Sequence, residues 1–296
     1  MANPLTLTSL NIADHVKAGI WTKRADAGVI AKLAPQVQFL AGDTDIYTFT
    51  NTPKAELVGE GANKGSANYN PSMVTAKMLK FHLTYRFSDE LKWADEDYRL
   101  GVISNLADNI LVGTSRALDL AGIHGINPAT GTVSALIPDY IMNNMTGVAD
   151  LNAAAAALQG NGYTATGIAF DPVYAGELAR ETKSATDNSP LYPELGFGFG
   201  FDSFRGLRSG ASNTVSGSEE ITRSTGDAIP QAIMANWDAF QWGIIRNIPL
   251  ELIETGDPDG QGDLKRTNQV AIRAEVALAF AIMDKDAFAV VTKTAA

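Results

Sequence analysis

Residues 255–263 come nearest, by residue type and spacing, to a metal-binding motif in this sequence. Asp257, Asp259 and Gln261 stand at the first, third and fifth positions of a calcium-binding loop. The twelfth position requires a glutamate that binds the ion through both oxygens, but it is Asn268, and no helical pattern flanks the loop. Because Asp, Pro and Gly are also the residues that turns require, we predict a turn between two strands and no calcium site.

The remaining residues with catalytic or ligand chemistry form no familiar pattern. The three histidines, His15, His82 and His124, lie in unrelated segments without the paired spacing of a zinc site. We find no nucleophile elbow, P-loop or zinc-protease motif, and the Gly/Phe run at 196–201 lacks dinucleotide-binding spacing. The absence of cysteine excludes disulfides and thiolate metal sites. The sequence therefore predicts no catalytic residue, no cofactor and no metal.

The most regular helical pattern covers residues 95–121. Apolar residues recur there at three- and four-residue spacing, acidic residues crowd the start, and Gly122 is a stop signal. A helix of about 27 residues would be roughly 40 Å long, which is unusual for an ordinary domain.

Capping residues and alternation indicate the other elements. Asp150 can cap a helix over 151–159, and Asp171 with Pro172 at the first helical position starts a helix that extends to about residue 183. A polar loop is predicted over 213–225. The predicted strands are 36–40, 46–50, 166–170, 229–235, 248–254 and 268–280.

Residues 55–88 predict a long two-stranded arm. The outgoing leg is 55–61, the tip at 62–71 is rich in Gly, Asn and Ser, and the return leg alternates from Leu79 to Phe87 between apolar and polar residues. A bare two-stranded ribbon is marginally stable in water, so we expect its distal half to lie on a neighbouring subunit. The residues expected to make these contacts are Glu60, Asn63, Lys64, Asn68 and Asn70.

The order of these elements resembles the major capsid protein of tailed bacteriophages, which has the Hong Kong 97-type fold. The resemblance extends from about residue 26 to residue 292. It depends on Val58-Gly59-Glu60-Gly61, on the return strand that leads into Phe87-Ser88-Asp89-Glu90-Leu91, on Asp171-Pro172, and on Asn268 with Arg273-Ala274-Glu275 and Asp286-Ala287-Phe288.

The resemblance implies an α+β fold with a discontinuous peripheral domain around an inserted axial domain. The expected units are an N-terminal arm at 1–32, the start of the peripheral domain at 33–51, an extended loop at 52–80, the return strand and spine helix at 81–128, the axial domain at 129–245, and the C-terminal strands of the peripheral domain at 246–296.

Some members of this family join their subunits by an isopeptide bond between a lysine and an asparagine, with a nearby glutamate as proton acceptor. Asn268 and Glu275 fall at the corresponding positions, but Met73 stands where the lysine is expected. Lys64 and Lys77 are displaced from that position. Because proton transfer requires the groups to be in reach, we predict that Asn268 and Glu275 are structural and that the shell is not covalently joined.

The resemblance also implies partners and a location. We expect pentamers and hexamers of this chain in an icosahedral head that encloses double-stranded DNA, assembled in the bacterial cytoplasm and present in the virion. Because the sequence begins at Met1 shortly before the arm, we expect a separate scaffolding protein or none. A portal and a decoration protein are further expected partners.

Composition agrees with a structural role. The net charge of −10 argues against sequence-specific nucleic-acid binding, and it is compatible with an inner wall that does not trap DNA or simply with solubility. No apolar stretch approaches the roughly 18 residues that a membrane span needs, and no secretion signal is recognisable. We therefore expect no membrane partner.

Two alternatives remain open at this point. An encapsulin, the shell protein of a bacterial nanocompartment, has the same fold, and neighbouring genes for a portal or for a cargo enzyme would separate the two. A cytoplasmic enzyme with an unrecognised site is the alternative from another class, and the lack of any His, Cys or glycine-loop constellation argues against it.

Overall fold

A computed structural model describes residues 28–49, 54–66, 71–98, 101–143, 145–184, 186–195 and 201–294. Most of the predicted N-terminal arm and the predicted contact residues Asn68 and Asn70 lie outside the described residues.

The first sheet has four antiparallel strands in the order β1-β2-β12-β11. They are β1 (Thr44–Thr48), β2 (Ser72–Ser88), β11 (Phe240–Ile253) and β12 (Gln269–Ile282). The β2–β12 register extends from Ser88 opposite Gln269 to Lys77 opposite Phe280. The predicted strands at 46–50, 248–254 and 268–280 are therefore confirmed, with β11 much longer than expected.

The alternation of apolar and polar residues explains why β2 and β12 form strands. In β12 every second residue from Val270 to Phe280 is buried, as predicted, and most of the intervening residues in its second half are buried too. A strand in the middle of a sheet that is covered on both faces has this pattern. In β2 the predicted apolar face is buried or half-buried from Leu79 to Phe87, whereas Lys80 and His82 on the other face are exposed.

The predicted single helix over 95–121 is wrong in its bounds. Helix α2 (Asp89–Tyr98) and helix α3 (Val102–Asp119) are separate elements, because Gly101 between them has a φ of 68°. That left-handed conformation interrupts a helix, and glycine adopts it at little cost. A single π-helical turn, Leu120–His124, follows α3, and Gly125 ends it with a φ of 66°.

The second sheet has five strands in the order β13-β10-β5-β9-β8. They are β5 (Gly167–Phe170), β8 (Ser203–Phe204), β9 (Leu207–Ala211), β10 (Ala228–Ala235) and β13 (Phe288–Thr294). The predicted strands at 166–170 and 229–235 are confirmed as β5 and β10.

Two helices with the predicted caps accompany this sheet. The Asp150 carboxylate accepts a hydrogen bond from Ala153 N at the start of α4 (Leu151–Gly160), and the Asp171 carboxylate accepts from Val173 N at the start of α5 (Pro172–Ala179). The short helix α1 is Ile30–Leu33. Helix α5 ends earlier than predicted, and β6 (Thr182–Ser184) then pairs with β7 (Asp187–Pro190).

Two other predictions fail among the described residues. Residues 36–40 make only a bridge from Gln36 to Trp242 and form no strand. The predicted outgoing leg lies outside strands, since β1 pairs with β2 only as far as Thr48 opposite Ser72. The small hairpin of β3 (Ile126–Asn127) and β4 (Thr132–Val133) was not predicted.

The final strand joins the second sheet. After a short turn at Lys285–Ala287, β13 pairs with β10, from Phe288 opposite Ala235 to Thr294 opposite Ala228. One core cluster packs residues of both sheets together, among them Phe280 of β12, Ile233 of β10 and Val290 of β13. The two sheets are thus joined through a shared hydrophobic core.

Candidate assembly surfaces

The arm presents apolar and polar side chains that its own subunit leaves uncovered. Tyr47 of β1 and Met73 of β2 face each other across the ribbon and are 68% and 57% exposed. Beyond the ribbon Leu57 is 99% exposed. Large apolar side chains in such positions indicate a surface that another molecule covers.

The predicted contact residues Glu60, Asn63 and Lys64 are all exposed. Glu60 lies within a turn in which Gly59 O accepts a hydrogen bond from Ala62 N and Gly61 has a φ of 78°, and Asn63 and Lys64 follow this turn. The loop is closed further along by Gly65 N, which donates to the Glu56 carboxylate over 3.2 Å. The described part of the loop therefore holds its shape through local backbone contacts, and its side chains are free to meet a neighbour.

The calcium-like loop at 255–263 lies between β11 and β12, as predicted. Its carboxylates bind the guanidinium group of Arg86. Arg86 of β2 donates through Nη2 to Asp257 over 3.3 Å and to the Gly262 carbonyl over 3.0 Å. Its Nε donates to Asp259 over 3.2 Å. The Arg86 side chain is only 9% exposed, so this ion-pair cluster fixes the turn against β2.

We expect the substitution Arg86→Ala to destabilise the subunit by about 2 kcal/mol, because several hydrogen bonds to charged partners are lost together. The matched control is Arg86→Lys, which keeps the charge but lacks the planar fork, and it should recover only part of the loss. Urea unfolding followed by tryptophan fluorescence measures both variants. An unchanged urea midpoint for Arg86→Ala would mean that the turn is held without Arg86.

The structure does not bring Asn268 and Glu275 together within one subunit. Asn268 precedes β12 with a φ of 51°, is exposed, and accepts a hydrogen bond from Asp89 N through its carbonyl. Glu275 lies seven residues further along, which in a strand is roughly 23 Å. It is opposite His82 of β2, and its Oε1 is 3.9 Å from Lys80 Nζ. That Asn268 and Glu275 are structural therefore stays a prediction.

Sequence reasoning missed a buried polar cluster at the end of α3. The Asp119 carboxylate accepts hydrogen bonds from Val29 N over 2.6 Å, Ile30 N over 3.0 Å and Thr214 Oγ1 over 2.6 Å. It thereby holds the start of α1 and the segment 212–216 to the helix. Burial raises the pKa of Asp119 to about 6, against the opposing effect of these hydrogen bonds and of the Arg116 charge.

The same cluster contains His124, for which the sequence pattern indicated no partner. Its Nε2 lies 3.0 Å from Thr214 O, and because a carbonyl only accepts, this nitrogen carries the proton. Burial lowers the pKa of His124 to about 4. The predicted polar loop at 213–225 contains no helix or strand, and its residues Thr214 and Ser216 are buried. Thr214 is the partner of both Asp119 and His124.

The described residues contain no group of three or more His, Cys, Asp or Glu side chains arranged to hold a metal ion. In that same part of the chain, no helix is long and apolar enough to cross a membrane.

Comparison with solved structures identifies the class of fold. A structure from Mycobacterium phage Ogopogo is 39% identical with a TM-score of 0.86, over 98% of this chain and 99% of that chain. One from Gordonia phage Cozz is 25% identical with a TM-score of 0.78, over 97% of this chain and 92% of that chain. The capsid of a native GTA particle, at 14% identity and a TM-score of 0.64 over 96% of both chains, shares the fold. The chain thus shares its α+β fold with these structures.

Residues 9–293 match the model of the phage capsid family. The chain therefore belongs to the phage capsid family: it is a major capsid protein, and its place is the capsid of the virion. The family is structural, and these similarities do not favour the encapsulin alternative. A search of curated protein sequences gave no match.

Proposed function

We propose that this chain builds an icosahedral phage head with the Hong Kong 97-type arrangement of subunits. The exposed arm is the observation that carries the proposal. Its apolar side chains Leu57, Tyr47 and Met73 are exposed in the single subunit, so a neighbouring subunit can cover them. A contact between an arm and a different surface of the next subunit is heterologous, and such contacts form a ring when the rotation between subunits closes. Rings of five and six copies would form the pentamers and hexamers.

The proposed domains follow the two sheets. The peripheral domain would comprise the first sheet with α2 and α3, and the axial domain the second sheet with α4 and α5. This division assigns β13 to the axial domain and β11, from Phe240, to the peripheral domain, whereas the sequence grouped 246–296 together. The extended loop remains at 52–80 and the N-terminal arm at 1–32.

The remaining partners are those that the family resemblance implies. The acidic chain, with a net charge of −10, would enclose double-stranded DNA without sequence-specific binding. A scaffolding protein would direct curvature during assembly in the host cytoplasm, a portal would replace one pentamer, and a decoration protein would bind outside.

Expression of the chain together with the scaffold genes of its phage, if any, tests the proposal. We expect megadalton particles or capsomers in sedimentation and negative-stain microscopy. A compact monomer that persists at high protein concentration under several salt conditions would contradict the proposed function.

The shell should be held by non-covalent contacts. Met73 occupies the position expected for the reactive lysine, and Lys77, four residues along β2, is displaced by roughly 13 Å. Lys64 lies earlier, in the exposed loop. Mature particles boiled in detergent should therefore migrate as a single band near 31.4 kDa.

A ladder of heavier bands that disappears in Asn268→Asp or Glu275→Ala would contradict this prediction. The matched control is Lys64→Arg with Lys77→Arg, which would abolish such a ladder only if one of those amines forms the bond.

A further inference from the structure

Strand β2 has a long edge without a neighbouring strand in the described structure. Strand β1 covers β2 only from Ser72 to Ala76, whereas β12 pairs along the opposite edge from Lys77 to Ser88. From Lys77 onward the first sheet therefore ends at β2. A free edge presents unpaired N–H and C=O groups and accepts an additional strand.

The direction of the free groups follows from one contact. Met78 N donates to the Asp43 carboxylate over 3.2 Å, on the side of β2 where β1 lies. Alternate residues of a strand direct their backbone groups to opposite edges. The amides of Lys80, His82 and Thr84 therefore point to the free edge, and those between them point to β12.

A groove of about 1190 Å³ follows this edge. Every residue from 77 to 84 lines it, which places both faces of the strand at its floor. One wall is α3, where Gly113, Ala117 and neighbouring residues line the groove, and another is formed by 126–129 with Leu136 and Ile137. On the α3 side the edge is apolar, since Leu83 packs close to Gly113, whereas Lys80 and His82 are exposed on the other side.

The segment 54–58 is the part of the arm that fits the groove along the free edge of β2. It lies outside strands, does not line the groove of its own subunit, and leaves β1 at the end opposite the free edge. Leu57 is 99% exposed, and its neighbours in the segment are Glu56, which is exposed, and Val58, which is half-buried. Within the segment the charged residues are Lys54 and Glu56, while the groove floor carries Lys77 and Lys80.

We propose that residues 54–58 of one subunit add as a strand to the free edge of β2 in a second copy of this chain. Leu57 then packs beneath α3 with Leu79 and Leu83, and Glu56 lies on the side of Lys80. The lysines at the edge discourage a wholly apolar strand, and the opposite charges of Glu56 and Lys80 favour this one. The single exposed hydrogen bond from Gly65 N to Glu56 is released on docking. This inference rests on the proposed capsid assembly and names the site that the arm engages.

Disulfide trapping tests the face on which each residue lies. The natural chain has no cysteine, so any disulfide comes from the introduced pair. Glu56→Cys or Val58→Cys, combined with Lys80→Cys or His82→Cys, should give an oxidised ladder at multiples of 31.4 kDa in at least one combination. Leu57→Cys with the same two partners is the matched control, and it should give none because Leu57 lies on the other face.

Hydrogen exchange at single-residue resolution provides the second measurement, on the unmodified chain. The amides of Lys80, His82 and Thr84 should lose their fast exchange when free subunits assemble into particles. Those of Leu79, Phe81 and Leu83, which bond to β12, should be protected in both states and serve as internal controls.

The outcomes separate this inference from the proposed function. Particles in which the three edge amides exchange as fast as in free subunits would overturn the docking site while the capsid function stands. Edge amides already protected in free subunits would mean that a segment of the same subunit covers β2, which also overturns it. Equal trapping of Leu57→Cys and Glu56→Cys would exclude an added strand. Failure of the unmodified chain to form particles or capsomers would count against the proposed function itself.

Discussion

Subunits that lack residues 61–70 are expected to fold as stably as the full chain and to form no shells. Residues 61–66 are all exposed, and Gly65 N, which donates to Glu56, makes an exposed contact that contributes little to stability. The core lies elsewhere, between the two sheets. Closing the gap with a short turn should leave the urea midpoint of the subunit unchanged, whereas particles in microscopy and sedimentation should be lost entirely.

The matched control replaces residues 61–70 with a Gly/Ser linker of the same length. If shells form with the linker, the side chains of 61–70 contribute nothing beyond the reach of the loop, contrary to the contacts proposed for Asn63 and Lys64. If the deleted chain unfolds, the loop packs within its own subunit. Either result would contradict the role proposed for the arm.

The elements predicted correctly are those with a strong local signal. In β12 the alternation of buried residues from Val270 to Phe280 is continuous, and a strand is the structure that this period favours. Asp150 and Asp171 are capping residues that accept backbone hydrogen bonds within three positions, so the sequence contains both partners of the contact.

The break at Gly101 has no comparable signal. A glycine inside a helix costs only about 1 kcal/mol relative to alanine, so the apolar spacing that continues into α3 outweighed it. In the folded chain α2 and α3 each pack against β2. These contacts between segments distant in sequence are not visible in the local pattern that predicted one helix. The prediction of a strand at 55–61 depends on the clear alternation of the return leg, because the residues of 55–61 do not themselves alternate.

The buried cluster around Asp119 could have been suspected from one anomaly. An acidic residue in the last turn of a helix opposes the helix dipole, so its presence calls for a specific partner. Nothing in the sequence names that partner, since Val29 and Thr214 are about 90 residues away in either direction and their hydrogen bonds form only in the folded chain. For the same reason the polar composition of 213–225 gave no sign that Thr214 and Ser216 are buried.

The stability of the free subunit should depend on pH through two buried groups with opposite effects. The pKa of Asp119 is raised to about 6 in the folded chain, so its contribution is fully present below about pH 3.8 and is lost as the pH rises through 6. The pKa of His124 is lowered to about 4, so its contribution is fully present above about pH 6.5 and is lost as the pH falls through 4. Each change corresponds to about 3 kcal/mol, and in the natural chain the two slopes largely cancel between pH 4 and 6.

Substituting one group at a time should reveal the slope of the other. Asp119→Asn leaves His124 unopposed, so the free energy of unfolding should increase by about 3 kcal/mol from pH 4 to 6.5 relative to the natural chain. His124→Gln, which can still donate to Thr214 O, leaves Asp119 unopposed, and the free energy of unfolding should decrease by a similar amount over that range.

Both substitutions lower stability at some pH, so the informative quantity is the slope of the free energy of unfolding against pH and not the urea midpoint at one pH. Urea unfolding of unassembled subunits at half-unit pH intervals measures it. If both variants keep the slope of the natural chain, neither group changes its protonation on unfolding in this range, and the cluster is a set of hydrogen bonds without coupled ionisation.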